Sequence, residues 1–371
     1  MKIYYVIPNF EIIGAQRIAI DFGNKLLKKG DDVFWISGGL GPLKKEVKKN
    51  RIILFSPKLK KIPKIRLLEQ LLRLLFILRS IDQSVIVSIT PFLNRYLCFL
   101  KKIGFIKSRL IIEDHAIPQI SNKDEFPFRF TRWFYESTVW LYNYCDKIRV
   151  LSLECKNYYK KKLHNKSKII MYPNLLNLKR ILNLSKNKNN LPLKRKKRIV
   201  YIGRLTTQKN LEFIIKSFSN IKLKDLELFI IGTGPQKKYL KSLVVILGLK
   251  DRVFFLKSSK QNYSILKSAD LFVMASLWEG MPITICEAML LDIPVVCTDF
   301  LAGPRFYLGK NSIRGWIVPK NDMVSFIKAI EYVLLNPKKI KNHKIRAKSF
   351  ILKNMDINKN INVYKNIFFN N

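Results

Sequence analysis

The sequence predicts an α/β protein of two doubly wound domains that face each other across a cleft. Three observations carry that prediction. The chain has 371 residues, more than one hydrophobic core usually organises. Short apolar runs alternate with longer amphipathic segments, the pattern of parallel strands joined by crossover helices. The alternation stops at a polar, basic stretch from 177 to 197 and then restarts.

In chain order, the first set of expected strands is 2–8, 32–36, 52–55, 85–89, 110–113, 147–151 and 169–172. The break is centred on Ser185-Lys186-Asn187-Lys188-Asn189-Asn190 and reads as an interdomain linker. The second set is 198–203, 228–232, 253–255, 271–276, 294–298 and 315–318. The expected division is a first domain at 1–180, a linker at 181–197 and a second domain at 198–345. A C-terminal helix at 346–371 is expected to pack back on the first domain. In such sheets ligands bind beyond the carboxyl ends of the strands, so the loops that follow strands carry the functional reading.

Composition narrows the class. A hydrophobic fraction of 48% is that of a folded globular chain rather than a disordered one. Lys and Arg number 69 against 26 Asp and Glu, a formal net charge of +43. Such a chain is drawn to polyanions: nucleic acid, anionic lipid headgroups or phosphate-bearing substrates. An AT-rich coding sequence accounts for part of the lysine, but it does not account for the shortage of acids. No finger spacing, RNP-like aromatic run or basic repeat supports nucleic acid.

The N-terminal run Met1 to Pro8 is too short for a secretory apolar segment and reads as a strand. The run from Leu67 to Leu78 is interrupted by Glu69 and Arg73. It falls short of the roughly 18 uncharged residues of a spanning helix. Five scattered cysteines without a CxxC pair suit a reducing cytoplasm and offer no metal spacing.

The segment from Leu271 to Thr298 holds the most informative loop. A strand ends at Ser276, Glu279-Gly280-Met281 follow, and a helix is expected to open at Pro282 and run to about Asp292. Free N–H groups at that helix start, with the positive end of its dipole, suit a diphosphate. Glu279 in the loop and Glu287 in the helix place two acceptor-only carboxylates beside one ligand, suited to sugar hydroxyls. A structural hydrogen bond for Glu287 is the competing reading. A glutamate amid Ile, Cys, Ala and Met is costly to bury without a partner.

Upstream, a strand ends at Gly203, and its loop offers Arg204 and Lys209 before a helix near Asn210. Two cations there would clamp a diphosphate and neutralise the charge that grows as it leaves. Taken alone, they read as two solvated loop cations. The Gly232-Thr233-Gly234-Pro235 turn lacks the third glycine of a dinucleotide fingerprint and reads as turn geometry.

These segments, in this order, resemble glycosyltransferase family 4, the retaining transferases of GT-B architecture with two Rossmann-like domains. The shared elements are Glu279-x7-Glu287, the Gly-Arg-Leu-x3-Lys element with Arg204 and Lys209, the Gly-x-Gly-Pro turn, and Ala269-Asp270. The resemblance implies that Arg204 and Lys209 hold the donor diphosphate and that Glu287 accepts from ribose hydroxyls. It implies that Glu279 contacts the transferred sugar, with main-chain amides around Gly280, Met281, Pro282 and Ile283 facing sugar and phosphate.

In the first half, Ile13-Gly14-Ala15-Gln16-Arg17 resembles the family's Gly-Gly-Ala-Glu-Arg loop, with Ile13 and Gln16 as departures. Gly14 would let backbone approach phosphate. Glu113-Asp114-His115 resembles the active-site histidine region, which implies that His115 contacts the sugar. Ser152, Pro173-Asn174 and Gly303-Pro304-Arg305 also match, with Phe306 where glutamate is common.

The resemblance implies a hexose or N-acetylhexosamine donor, with a lean toward UDP. It implies a glycan acceptor, lipid-linked or oligosaccharide, in cell-surface polysaccharide, lipopolysaccharide or glycoprotein glycan synthesis. No cofactor or metal is expected, since no Asp-x-Asp is placed to hold one and the Arg204/Lys209 pair takes that role. A sugar-nucleotide epimerase shares the fold and donor site and is the main rival. A basic nucleic-acid-binding protein and an inactive carbohydrate-binding relative are weaker ones.

Lys58, Lys60, Lys61, Lys64 and Arg66 precede a leucine-rich helix carrying Arg73 and Arg79. Arg129, Arg132 and Trp133 lie amid Phe126, Phe128, Phe130 and Phe134. Cations beside apolar side chains suit the anionic inner face of the cytoplasmic membrane. A core-facing crossover helix with a solvated basic side fits Leu67 to Leu78 equally well.

Overall fold

In the computed structural model, residues 1–12, 14–56, 63–115, 133, 135–189, 191, 196–259 and 261–370 are described. They divide into two compact units. One comprises Met1–Leu176 together with Ile357–Asn371, the other Asn177–Asp356.

The first unit carries seven parallel strands: β1 (Lys2–Ile7), β2 (Asp32–Ser37), β3 (Ile52–Leu54), β4 (Val85–Ser88), β5 (Arg109–Asp114), β6 (Lys147–Val150) and β7 (Ile169–Met171). Their order is β3-β2-β1-β4-β5-β6-β7. Crossovers include α1 (Gly14–Leu27), α2 (Pro63–Arg79), α3 (Pro91–Lys102) and α4 (Leu153–Lys162). Right-handed crossovers put α1 on one face of the sheet and α2 and α3 on the other. Central β1 is buried from Ile3 to Ile7, as an apolar run between two paired neighbours requires. Ser152 opens α4 by accepting from the Cys155 N–H at 3.2 Å.

The second unit repeats the plan. Its strands are β8 (Lys197–Ile202), β9 (Leu226–Ile231), β10 (Val253–Leu256), β11 (Leu271–Met274), β12 (Val295–Thr298) and β13 (Trp316–Val318), ordered β10-β9-β8-β11-β12-β13 and all parallel. Its helices are α5 (Leu178–Leu184), α6 (Leu211–Ser219), α7 (Lys237–Ile246), α8 (Asn262–Lys267), α9 (Ile283–Leu290), α10 (Pro304–Leu308), α11 (Met323–Leu335) and α12 (Lys341–Asn354). One continuous core runs through it, with Tyr201, Leu211, Ile230, Val273 and Phe326 at its centre.

The last helix, α13 (Ile357–Phe368), belongs to the first unit. Its Lys365 ammonium meets Asp31 at 2.7 Å, and its Tyr364 ring packs on Phe22 with centroids 4.7 Å apart.

Several expected boundaries move. The stretch read as a linker is partly helical, because Asn177 caps α5 by accepting from the Arg180 N–H at 3.1 Å. Residues 190 and 192–195 of that stretch lie outside the described ones. The second unit extends past 345 because α12 packs on α9, with Lys348 paired to Asp292 at 2.5 Å. Nothing in net charge marks that step, since α12 and α13 are both basic. The five cysteines are free thiols, all buried.

Candidate functional site

Strand order locates the site in the second unit. From β8 the chain winds outward through β9 and β10. It then returns to β11 on the other flank of β8 and continues outward through β12 and β13. The carboxyl ends of β8 and β11 therefore flank the topological switch point, where doubly wound sheets hold ligands. The loops leaving these two strands carry Arg204 and Lys209 on one side and Glu279 on the other.

The two loops are fastened together. The Leu277 N–H donates to the Gln208 carbonyl at 2.8 Å, and the Gln208 side-chain amide donates to the Trp278 carbonyl at 2.9 Å. Lys209 forms an ion pair with Glu279, and both side chains are nearly out of solvent. The Ser276 hydroxyl donates to the same carboxylate at 2.8 Å. A charge withdrawn from water in this way needs its partners, and Glu279 has them. Lys209 is thus brought to Glu279, while Arg204 stays exposed on the same loop.

Helix α9 begins at Ile283, with Pro282 one position earlier as the cap rather than inside the first turn. Among the described residues no side chain caps it, which leaves its leading N–H groups to an anion. The helix ends at Leu290, before the expected Asp292, where a positive φ of 62° turns the chain. Gly303 supports the loop from below. Its φ is 116°, and a Cβ there would lie 2.6 Å from the Pro282 ring. Met281 is buried, and Gly280 and Ile283 are partly so.

Glu287 is buried in α9 and accepts from the Tyr263 hydroxyl at 2.9 Å. Tyr263 escapes sequence reasoning because its helix, α8, meets α9 only in the folded sheet. Ser276 lay within reach of that reasoning, as the last polar residue before the Glu279 loop.

The glycine-rich turn after β9 is packing geometry. A Cβ on Gly234 would come within 2.3 Å of the Leu205 carbonyl oxygen, so the turn lies directly on the Arg204 loop. Leu205 and Thr233 share a backbone hydrogen bond of 2.9 Å. Asp270 is structural as well. It accepts from the Arg198 N–H at 2.7 Å at the amino ends of β8 and β11, away from the site. Arg305 pairs with Asp299 at 2.5 Å, and Phe306 packs on Phe350 with ring centroids 5.7 Å apart.

In the first unit, His115 follows β5 and lies 3.2 Å from the Glu113 carboxylate. Glu113 is buried and also accepts from Arg149 at 2.7 Å and from the Tyr364 hydroxyl at 2.7 Å. Burial alone would raise this carboxyl. Arg149, with help from His115 and Tyr364, reverses the effect and holds it at about 2. Arg149, fully buried, donates onward to the Pro173 carbonyl and the Asn174 side chain, each at 2.8 Å.

Pro173-Asn174 therefore braces His115 through Arg149 and Glu113. Arg149 went unnoticed in the sequence, since a lone cation within an apolar strand reads as an exposed edge. Gly14 is the exposed first residue of α1, just past the end of β1. Its neighbour Ile13 lies outside the described residues, as do Lys58, Lys60, Lys61, Phe126, Phe128, Arg129, Phe130, Arg132 and Phe134 and the side chains of Lys64 and Arg66. Trp133 is exposed. Among the described residues, no three His, Cys, Asp or Glu are gathered to hold a metal, and no helix is long and apolar enough to cross a membrane.

Known proteins place this chain in a family. The chain matches glycosyl transferases group 1 over residues 183–350. Uncharacterized glycosyltransferase MJ1059 of Methanocaldococcus jannaschii is 32% identical over 288 residues, covering 71% of this chain and 68% of that protein. The chain belongs to the group 1 glycosyltransferases.

As a member of that family it is a glycosyltransferase, and its two parallel sheets are those of the GT-B fold. The crystal structure of Anabaena HepE in complex with UDP-glucose superposes with a TM-score of 0.81 at 17% identity, covering 98% of both chains. A Campylobacter jejuni protein is 30% identical over 151 residues, 41% of each chain. It is named N-acetylgalactosamine-N,N'-diacetylbacillosaminyl-diphospho-undecaprenol 4-alpha-N-acetylgalactosaminyltransferase.

Proposed function

We propose that this group 1 glycosyltransferase moves a hexose or N-acetylhexosamine, with retention of configuration, from a UDP-sugar to a lipid-linked glycan acceptor. The reading rests chiefly on the Lys209–Glu279 pair, held at the switch point of the second sheet beside the uncapped start of α9. A diphosphate there meets the N–H groups of α9 together with Lys209 and Arg204. Glu287 accepts from the ribose and Glu279 from the sugar.

As the bond from the sugar's anomeric carbon to the diphosphate breaks, negative charge grows on the departing phosphate. Fixed cations and helix N–H groups stabilise that charge more than they stabilise the ground state. This supports transfer without a metal. In the first unit, His115 beside Glu113 is the candidate sugar contact. The UDP-glucose bound by HepE and the undecaprenyl-linked substrate in the Campylobacter protein's name support the donor and acceptor classes. A lipid-linked acceptor favours action at the inner face of the cytoplasmic membrane.

The test is a thermal-shift and transfer panel with UDP-, GDP- and ADP-sugars, run on the native protein, Glu287→Ala and Lys209→Ala, with and without EDTA. Native protein should be stabilised by a UDP-sugar, and both variants should lose that shift. Binding that survives both substitutions refutes the donor site. Activity abolished by EDTA and restored by Mg2+ refutes the metal-free mechanism. Interconversion of the UDP-sugar without an acceptor makes the enzyme an epimerase.

A further inference from the structure

The face of the first unit that carries α2 and α3 departs from what a solvated crossover helix presents. Such a helix buries one stripe and turns polar residues outward. In α2 the buried stripe is present, filled by Leu74 and Leu78. The outer side, however, shows Leu68, Leu72 and Phe76 at 58%, 56% and 77% exposure, spaced four residues apart along one line. With Leu54 of β3 these side chains line an open apolar groove.

The surface continues past α2. The Tyr96 hydroxyl of α3 donates to the Leu71 carbonyl of α2 at 2.9 Å, so the two helices are neighbours. Phe99 and Ile103 stand exposed on α3 and at its end. Next come Trp140 and Tyr144, both exposed, edge to face at 6.1 Å, with the Lys102 ammonium 4.5 Å from the Trp140 ring centroid. Scattered apolar side chains on a surface need no explanation, but a band across three successive elements does.

Charge selects the occupant. The sequence from 57 to 109 holds twelve Lys and Arg against two acids, Glu69 and Asp82, and among its described side chains Arg79, Lys102 and Lys107 are exposed while Arg95 is buried. A second copy of the chain would set those cations against themselves. Nucleic acid presents phosphates, which gain nothing from a line of leucine and phenylalanine. An anionic lipid leaflet accommodates both features. Its acyl carbons take the apolar line, its headgroups take the cations, and Trp, Tyr and Lys side chains settle at the boundary.

We propose that the outer face of α2 and α3, with Trp140 and Tyr144 at its margin, is the surface by which this protein lies on an anionic leaflet. Leu68, Leu72 and Phe76 enter the acyl region. The proposal deepens the membrane reading given above and is independent of the donor site.

Vesicle co-sedimentation tests it, with phosphatidylcholine and phosphatidylglycerol at two to one against phosphatidylcholine alone. The native protein should pellet with the anionic vesicles and much less with the neutral ones. Leu72→Ser/Phe76→Ser, which leaves charge unchanged, should weaken that binding at least about tenfold. Its melting temperature and UDP-sugar thermal shift should stay native. Phe99→Ser/Ile103→Ser on α3 should act in the same direction, so the test stands even if one variant folds poorly.

Native protein that ignores anionic vesicles overturns both this proposal and the membrane reading. Both double variants binding like the native protein overturns only the assignment of this face. Binding that duplex DNA displaces and neither variant alters assigns the cations to a nucleic-acid surface instead.

Discussion

Lys209 and Glu279 make a demand at the residue scale that a surface ion pair would not. Both are nearly buried, so removing either leaves the other uncompensated. Lys209→Met is expected to cost about 3 kcal/mol of stability and to lower transfer at least about a hundredfold. Lys209→Met/Glu279→Gln should recover most of the stability and none of the transfer. Calorimetry and a UDP-sugar transfer assay separate the two effects. If turnover returned along with stability, the pair would be a structural strut. Tyr263→Phe removes one donor to Glu287 and should cost about 1 kcal/mol, with turnover changed only severalfold.

Elements were legible in the sequence where periodicity and turn chemistry agreed. The strands from β8 to β13 lie close to their expected places, since each is a short apolar run closed by a polar or glycine-bearing loop. Glu287 could be singled out because a charged group inside an apolar helix is costly without a partner, and Glu279 and Lys209 because they stand in motifs whose order and spacing resemble a known family. The Glu113–Arg149–Tyr364 cluster could not, because its members are separated by 36 and 251 residues and meet only through the fold.

That cluster fastens α13 to the sheet of the first unit and predicts a pH response. Glu113 is held at about 2, below the ordinary carboxylate value of 4.5. A depressed carboxylate adds stability that is fully present above the unfolded value and lost as pH falls through the folded one. Acid unfolding followed by circular dichroism should therefore lose on the order of 3 kcal/mol between about pH 5 and pH 2. In Tyr364→Phe the stability at neutral pH should drop by about 1–2 kcal/mol, as a buried acceptor loses one donor. An unchanged melt for that variant would show that α13 is held without its bond to Glu113, by contacts such as Lys365–Asp31 and Tyr364–Phe22.

For the whole molecule, a formal charge of +43 is a self-repulsion that every fold of this chain has to overcome. Salt screens exposed charges more than it weakens the nearly buried Lys209–Glu279 and Glu113–Arg149 pairs. Raising sodium chloride from low to physiological ionic strength should accordingly raise the melting temperature. A fall over that range would mean that surface attractions outweigh the repulsion. Anionic vesicles should raise it too, by binding the folded form.

The five cysteines are shared between the two units, Cys98, Cys145 and Cys155 in one and Cys286 and Cys297 in the other. Burial raises the thiols of Cys98, Cys155, Cys286 and Cys297, so in the folded state these sulfurs are both shielded and protonated. An alkylating reagent reaches them only when the surrounding structure opens. Peptide mapping after timed alkylation would thus clock the breathing of each half of the chain from its own native sulfurs, with no label introduced.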